Sequence, residues 1–180
     1  MSGSEWVHTS SPYVRPREEG QRDAWTEETA AQGRAGTQRI VRAEEVEAPT
    51  DVAEALAITP GAIVVERRRV IYLDGEPTEL TNTYYPVHIA RGTRLSSTAK
   101  IPGGAVTLLA TMGYVPHLVQ EEVRARMPND DERTMLTLGP HDPVLHLLRL
   151  TIGADGEPFQ VDVSVFPAST QRLRYEMRVG

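Results

Sequence analysis

The sequence predicts an α+β fold: a mostly antiparallel sheet of six or seven strands with short helices, built from two β-α-β-β repeats. Three observations carry that prediction. A hairpin is written twice, once from Arg68 through Asp74-Gly75-Glu76-Pro77 to Pro86 and again from Arg149 through Asp155-Gly156-Glu157-Pro158 to Pro167. The offset is 81 throughout (149 minus 68, 167 minus 86), which marks an internal duplication. The match extends upstream, where residues 52–58 and 132–138 both read as short helices and residues 37–47 and 117–127 as strands before them. Finally, residues 169–180 alternate Leu173, Tyr175, Met177 and Val179 with Arg172, Arg174, Glu176 and Arg178, which predicts a closing strand.

In chain order, residues 1–36 read as an amino-terminal arm or linker, polar and broken by Pro12 and Pro16. A short helix is expected around Trp25, with Thr26 as its cap, Glu27 and Glu28 in its first turn, and Gly33 and Gly36 beyond its end. Residues 37–180 form the expected domain. The first repeat holds a strand, a helix capped by Thr50 or Asp51 and stopped at Pro60-Gly61, and the first hairpin. Residues 87–99 are a connection without clear period. Gly103-Gly104 then open a helix whose apolar stripe is Ala105, Leu108, Leu109 and Met112, with Gly113 as its stop. The second repeat follows, its helix introduced by Asp130-Asp131 and ended by Gly139-Pro140.

Asp-Gly between two extended apolar runs signals a tight hairpin, because a two-residue turn of the primed type needs φ > 0 at both positions. Counting outward from Asp74-Gly75 sets Leu73 against Glu76 and Arg68 against Thr81; the same count sets Arg149 against Asp162. Side chains alternate faces along a strand. In the second hairpin this gives an apolar face of Leu148, Leu150, Ile152, Phe159, Val161, Val163 and Val165, and a polar face of Arg149, Thr151, Gln160, Asp162 and Ser164. The first hairpin divides less cleanly. Arg68, Val70, Tyr72, Glu79, Thr81 and Thr83 share one face; Arg67, Arg69, Ile71, Leu73, Leu80, Asn82 and Tyr84 share the other.

A length of 180 residues with 39% hydrophobic content suits one domain with a sizeable core. No run approaches the ~20 apolar residues of a membrane span, and the amino terminus lacks a basic-then-apolar secretory signal. With no Cys there are no disulfides and no zinc sites of the cysteine type, which fits the cytoplasm. A net charge of −6 argues against DNA binding by this chain alone, since that requires a phosphate-neutralising surface.

The sequence contains no hydrolase, zincin, phosphate-loop or dinucleotide motif. His8, His88, His117, His141 and His146 are scattered, and the adjacent pairs Glu44-Glu45 and Glu121-Glu122 point to opposite faces of a strand. No cofactor or metal is expected, and no nucleophile stands out.

The duplicated hairpin, the Gly103-Gly104-Ala105 helix entry and the Arg68-x6-Gly75-x-Pro77 spacing together resemble the UTRA domain, the effector-binding half of HutC-type regulators in the GntR family. The resemblance covers about residues 37–178. It implies a chorismate-lyase-like fold, a homodimer, and a pocket controlling an upstream winged-helix DNA-binding domain, so that operator DNA is contacted only through that domain. A winged helix takes about 65 residues, so it is expected to be absent from this chain. Arg68 matches the family's pocket arginine. Thr81 and Asp162 stand where sugar-phosphate-binding members carry acids, Ala105 and Thr107 where they carry hydroxyl side chains, and Val70 where a second arginine would lie.

The expected ligand-binding residues are therefore Arg68, Glu79, Thr81, Thr83, Gly103, Gly104, Ala105, Thr107, Arg149 and Asp162. Arg149 opposite Asp162 reads either as a cross-strand ion pair or as part of the pocket. Arg68 faces neutral Thr81, lacks such a partner, and reads as the anchor of an anion, with the Gly103-Gly104 amides as further donors. The lost phosphate ligands point to a carboxylate or similar small anion and away from a sugar phosphate. The expected function is effector sensing by a transcriptional regulator, a repressor released by its ligand; the alternative is a lyase of small aromatic acids on the same fold.

Overall fold

The computed structural model describes residues 5–18 and 20–179. Residues 1–4, at the start of the expected arm, and Glu19 and Gly180 lie outside the described residues. Strand β1 (Trp6–His8) opens the chain and helix α1 (Ala24–Ala31) follows. The first repeat is β2 (Gly36–Glu47), α2 (Thr50–Ala55), β3 (Ile63–Leu73) and β4 (Glu76–Pro86). Helices α3 (Val87–Ala90) and α4 (Ala105–Thr111) bridge to the second repeat: β5 (Leu118–Arg126), α5 (Asp130–Met135), β6 (Val144–Ile152) and β7 (Pro158–Pro167). Strand β8 (Gln171–Leu173) ends the regular structure.

The main sheet has six antiparallel strands in the order β2-β3-β4-β7-β6-β5, so the two repeats lie side by side and meet at β4 and β7. Across that seam Leu80 pairs with Val165, Tyr84 with Val161 and Asn82 with Val163. Asn82 and Val163 are themselves equivalent under the 81-residue offset. A local two-fold therefore runs through their pair, as the duplication requires.

Each repeat folds for legible reasons. Asn129 caps α5 by accepting from the Glu132 amide at 2.8 Å, and the Glu132 carboxylate accepts in return from the Asn129 amide at 3.0 Å. Both α2 and α5 are left through a residue in the left-handed region, Ala57 at φ 53° and Thr137 at φ 54°. Val52, Ala53 and Leu56 pack on Val64, Tyr84 and Val161, and Leu136 packs on Val70, Leu80, Val144 and Val165. On the opposite face Leu95, Ile101 and Leu109 pack against Val65, Tyr85 and Phe159.

The two hairpins differ in their turns. Asp74 (φ 52°) and Gly75 (φ 87°) form the expected two-residue turn, and Leu73 pairs with Glu76. A bulge at Thr78 then shifts the register, so Ile71 pairs with Glu79, Arg69 with Thr81 and Arg68 with Asn82. The expected Arg68–Thr81 pairing is overturned. The second hairpin turns through a wider loop: only Gly156 has positive φ, and the Gly153 amide donates to the Glu157 carbonyl at 3.0 Å. A bulge at Phe159, the equivalent of Thr78, combines with that loop to leave Arg149 against Asp162 as expected. Being the bulged residue, Phe159 leaves the Val161 face and joins the cluster under α4.

Two further expectations are corrected. The closing strand is only Gln171–Leu173, and it pairs in parallel with β1 in a separate two-stranded sheet. It leaves from β7 at the centre of the main sheet, whose neighbouring positions are already taken, and Met177 and Val179 beyond it are exposed. The arm packs on the body. Trp6 and Trp25 meet edge to face at 5.0 Å and bury Ile71 and Leu73 beneath them. The Trp25 indole N–H donates to the Tyr72 carbonyl at 3.0 Å, and the cap of α1 is Asp23, whose carboxylate accepts from the Thr26 amide.

Candidate functional site

A cavity of about 120 Å³ lies where the centre of the sheet, the start of α4 and the arm converge. Its floor is the polar stripe of β4 and β7, Glu79, Thr81, Gln160, Asp162 and Ser164, with Arg69 from β3 and Arg149 from β6 on either side. Gly103, Gly104 and Ala105 bring the backbone of the α4 entry to one wall. Both glycines have positive φ (71° and 87°), which lets the chain turn tightly there. The roof is the arm: His8, Tyr13, Arg15 and Arg17, then Asp23 and Trp25.

The floor is a hydrogen-bonded network. Asp162 accepts from Thr83 Oγ1 at 2.6 Å and from Gln160 Nε2 at 2.7 Å, and the Thr81 and Ser164 hydroxyls meet across the seam at 2.9 Å. Thr83 Oγ1 also accepts from Arg69 Nη2 at 3.1 Å, so one hydroxyl links the guanidinium to Asp162. Glu79 accepts from Thr81 Oγ1.

The two arginines at this floor are held differently. Arg149 is buried, donates from Nε to Glu121 at 2.6 Å and from Nη2 to Ser10 at 2.9 Å, and so ties the arm to β5 and β6. Burial alone would depress its pKa, but Asp162 and Glu121 overcome that and raise it, so it stays charged. Arg69 has no carboxylate within ion-pair distance among the described residues, and its buried Nε has no hydrogen-bond partner. The His8 imidazole is buried too, stacks on Tyr13 at 4.8 Å between ring centroids, and leaves Nε2 unpartnered. Burial lowers its pKa against the opposing pull of Glu79, which keeps the ring neutral.

The roof is pinned at several points. Tyr13 donates to Glu28 at 2.5 Å, Arg17 to Glu27 at 2.6 Å, and the Arg17 amide donates to Thr107 Oγ1 at 3.0 Å. Burial and the Glu28 carboxylate together push the Tyr13 phenol pKa up. A second cleft shares Gln38, Arg69, Gly104 and Ala105 with the cavity and opens between β2 and α4, lined further by Arg39, Arg67 and Lys100. Arg67 is committed to structure, since it donates to the carbonyls of Arg94 at 3.1 Å and Ala99 at 2.7 Å.

Of the residues expected from sequence, Glu79, Thr81, Gly103, Gly104, Ala105, Arg149 and Asp162 line the cavity together, and Thr83 lies just beneath them. Thr107 does not line it: its hydroxyl donates to the Gly103 carbonyl at 2.8 Å and accepts from Arg17. Arg68 lies on the opposite face, where it donates to Asp131 of the second repeat. The bulge at Thr78 turned it away and put Arg69 in its place. Arg149 and Asp162 are neighbours as expected, but the direct ion pair is with Glu121. Sequence reasoning missed Arg69, Gln160, Ser164 and Tyr85 as cavity residues, and the whole roof. A signal for the roof was present: both tryptophans of the chain lie in the segment read as a linker.

Among the described residues no cluster of His and carboxylates is arranged to hold a metal ion. No helix among them is long and apolar enough to cross a membrane.

Comparison with known proteins places this geometry in context. The family model described as the UTRA domain matches residues 31–172. An uncharacterized HTH-type transcriptional regulator of Streptomyces coelicolor is 31% identical over 146 residues, covering 79% of this chain and 53% of that protein. The chain thus spans about half the length of the curated relatives it matches. Among solved structures, the effector domain of PhnF from Mycobacterium smegmatis superposes with a TM-score of 0.73 at 21% identity, covering 92% of this chain and 99% of that one. The C-terminal domain of the histidine utilization repressor from Pseudomonas syringae pv. tomato gives a TM-score of 0.68 at 18% identity, covering 80% and 99%.

Proposed function

This chain belongs to the UTRA-domain family, and on that premise we propose that it is the ligand sensor of a GntR-type transcriptional regulator, with its effector bound in the cavity under the arm. The observation that carries this reading is Arg69. A guanidinium beside a walled cavity, with a buried Nε unpartnered and no carboxylate at ion-pair distance among the described residues, is costly unless an anionic group meets it. The basic cleft between β2 and α4 supports the same reading, since Arg39, Arg67 and Lys100 would attract an anion toward it. The effector is a small carboxylate or similar anion; Ala105 lines the wall without a hydroxyl that a phosphate would use.

The chain binds its effector and does not turn it over. The floor carboxylates, which would have to act as acid or base, are bound to hydroxyl and amide donors. Operator DNA is contacted by another part of the regulator, in the cytoplasm, and ligand releases a repressor. The assembly is a homodimer, which would cover apolar side chains on the sheet edges such as Val41 on β2 and Leu118 and Val123 on β5.

Thermal-shift screening of small organic acids, followed by calorimetry on Arg69→Ala and Arg68→Ala, tests the site. Binding that is lost with Arg69 and kept without Arg68 is the expected result; the reverse pattern overturns it. Sedimentation showing only a monomer at micromolar concentration would count against the dimer.

A further inference from the structure

The charges around the cavity do not balance for a simple anion. The Arg149 guanidinium is neutralised by Glu121. Arg69 reaches Asp162 through the Thr83 hydroxyl, which partly screens both. Glu79 is left over. It lines the cavity, accepts only from Thr81 Oγ1, and has no cation at ion-pair distance among the described residues. On the floor, two guanidiniums and the Glu121 partner of one of them thus leave Glu79 and Asp162 in excess, while in the roof Arg17 is paired with Glu27 and Arg15 and Asp23 are of opposite sign. A ligand carrying only negative charge would satisfy Arg69 Nε and worsen the position of Glu79.

We infer that the effector is a small zwitterion, an amino acid or close relative, whose carboxylate meets Arg69 and whose ammonium meets Glu79 beside the Ser164 hydroxyl. This deepens the reading of Arg69 as an anion anchor and rests on it. The layout favours two ends of opposite charge. Arg69 and Glu79 lie on neighbouring strands of the same face, since Arg69 pairs with Thr81 and Ile71 with Glu79. An ammonium has three donors, and the Glu79 carboxylate with the neighbouring Thr81 and Ser164 hydroxyls offers acceptors at one end of the floor, while Asp162 lies further along, opposite Thr83. The volume of about 120 Å³ suits a short molecule. Its side chain would lie against the apolar and aromatic part of the wall, Ile71, Tyr85, Val106 and Tyr13.

The test uses matched sets in which the carbon skeleton is constant and the head groups change. For leucine and for phenylalanine, calorimetry of the full chain compares the amino acid, the acid lacking the amine, the 2-hydroxy acid and the amine lacking the carboxylate. The inference expects the amino acid of at least one set to bind about ten-fold or more tighter than its plain acid and its amine, the effect of one charge-assisted hydrogen bond. Glu79→Gln should abolish the preference for the amino acid, weakening it while tightening the plain acid by relief of repulsion, and Arg69→Ala should weaken both. The ligand series stands on its own if either variant fails to fold. If plain acid and amino acid bind alike, and both depend on Arg69, the zwitterion is excluded while the anion anchor survives. A 2-hydroxy acid as tight as the amino acid replaces the ammonium with a hydroxyl and overturns the inference. If only the amine binds, untouched by Arg69→Ala, the anchor falls as well. No saturable binding in either set also overturns the inference.

Discussion

The two hairpins share a sequence pattern and a bulge, yet they turn different arginines toward the cavity. In the first, the two-residue turn at Asp74-Gly75 and the bulge at Thr78 bring Arg69 to the floor and send Arg68 to the other face. In the second, the wider loop before Pro158 takes up one more residue, and Arg149, the equivalent of Arg68, faces the cavity. The outer strands are thus out of step by one residue, while β4 and β7 keep matched positions, with Glu79, Thr81 and Thr83 answering to Gln160, Asp162 and Ser164. A one-residue slip exchanges the faces of a strand. Here it has separated two roles that a strict repeat would have duplicated: the second copy supplies a neutralised arginine that secures the arm, the first an arginine left open to the cavity.

The strongest way to break that contrast is to remove the partner of Arg149. Glu121→Ala removes the ion-pair partner of a buried guanidinium and leaves it only the more distant Asp162, and a loss of about 3 kcal/mol in urea unfolding is expected. Arg69→Ala breaks no ion pair and should cost far less stability. Equal costs would mean that the two arginines are not held differently. Acid should expose the same asymmetry. Burial tends to raise the Glu121 pKa, but Arg149 with Ser10 and Tyr175 outweighs it and holds the carboxyl below its usual range. A carboxyl depressed in the folded state stabilises fully above its unfolded value, about 4.3, and that contribution disappears as pH falls through the lower folded value. Glu121→Gln should therefore flatten the acid limb of the stability profile. A profile unchanged below pH 5 would be inconsistent with the pair.

Much of this was readable in the residues, and what was not has a physical reason. The duplication, the Asp-Gly turn of the first hairpin and the helix at Ala105 follow from local chemistry, and the structure contains them. The bulge at Thr78 does not, because nothing about Thr-Glu-Leu distinguishes a bulged strand from a regular one. Its trace was indirect. A regular count mixes Val70 and Tyr72 with Glu79 and Thr81 on one face, whereas a shift of one residue pairs Val70 with Leu80 and collects Arg67, Arg69, Glu79, Thr81 and Thr83 on the cavity side. An unexplained mixture of polar and apolar side chains on one face was the signal. The arm escaped because its order comes from burying Trp6 and Trp25 on distant strands, which no local pattern reports.

A binding measurement is the next test of the contrast. Once an acid that shifts the melting temperature is in hand, Arg69→Ala should weaken it by about 1.5–3 kcal/mol, the value of a hydrogen bond to a charged group. Arg68→Ala should leave the affinity unchanged, because that side chain pairs with Asp131 on the far face. Arg149→Ala is the informative intermediate. It should weaken binding less directly, by loosening Ser10 and with it the roof, so faster ligand dissociation is expected. If Arg149→Ala removes binding while Arg69→Ala spares it, the roles given to the two hairpins are exchanged.

The smallest expected effect concerns the helices that precede the hairpins. Ala57 and Thr137 are equivalent exits from α2 and α5, both exposed and both near φ 54°. The left-handed region costs an L-residue about 1–2 kcal/mol, and more for a β-branched one, because its side chain crowds the following carbonyl. Glycine removes that strain and gives back about 0.5–1 kcal/mol through the greater freedom of the unfolded chain. Ala57→Gly should therefore be close to neutral or slightly stabilising. Thr137→Gly should stabilise by roughly 1 kcal/mol, because its β-branch starts from the worse position. Unfolding midpoints of the two variants and their combination decide it. The sites lie on different repeats, so the effects should add. Thr137→Gly destabilising the chain would mean that the threonine makes a compensating contact, and that the two helix exits are less alike than their backbone angles.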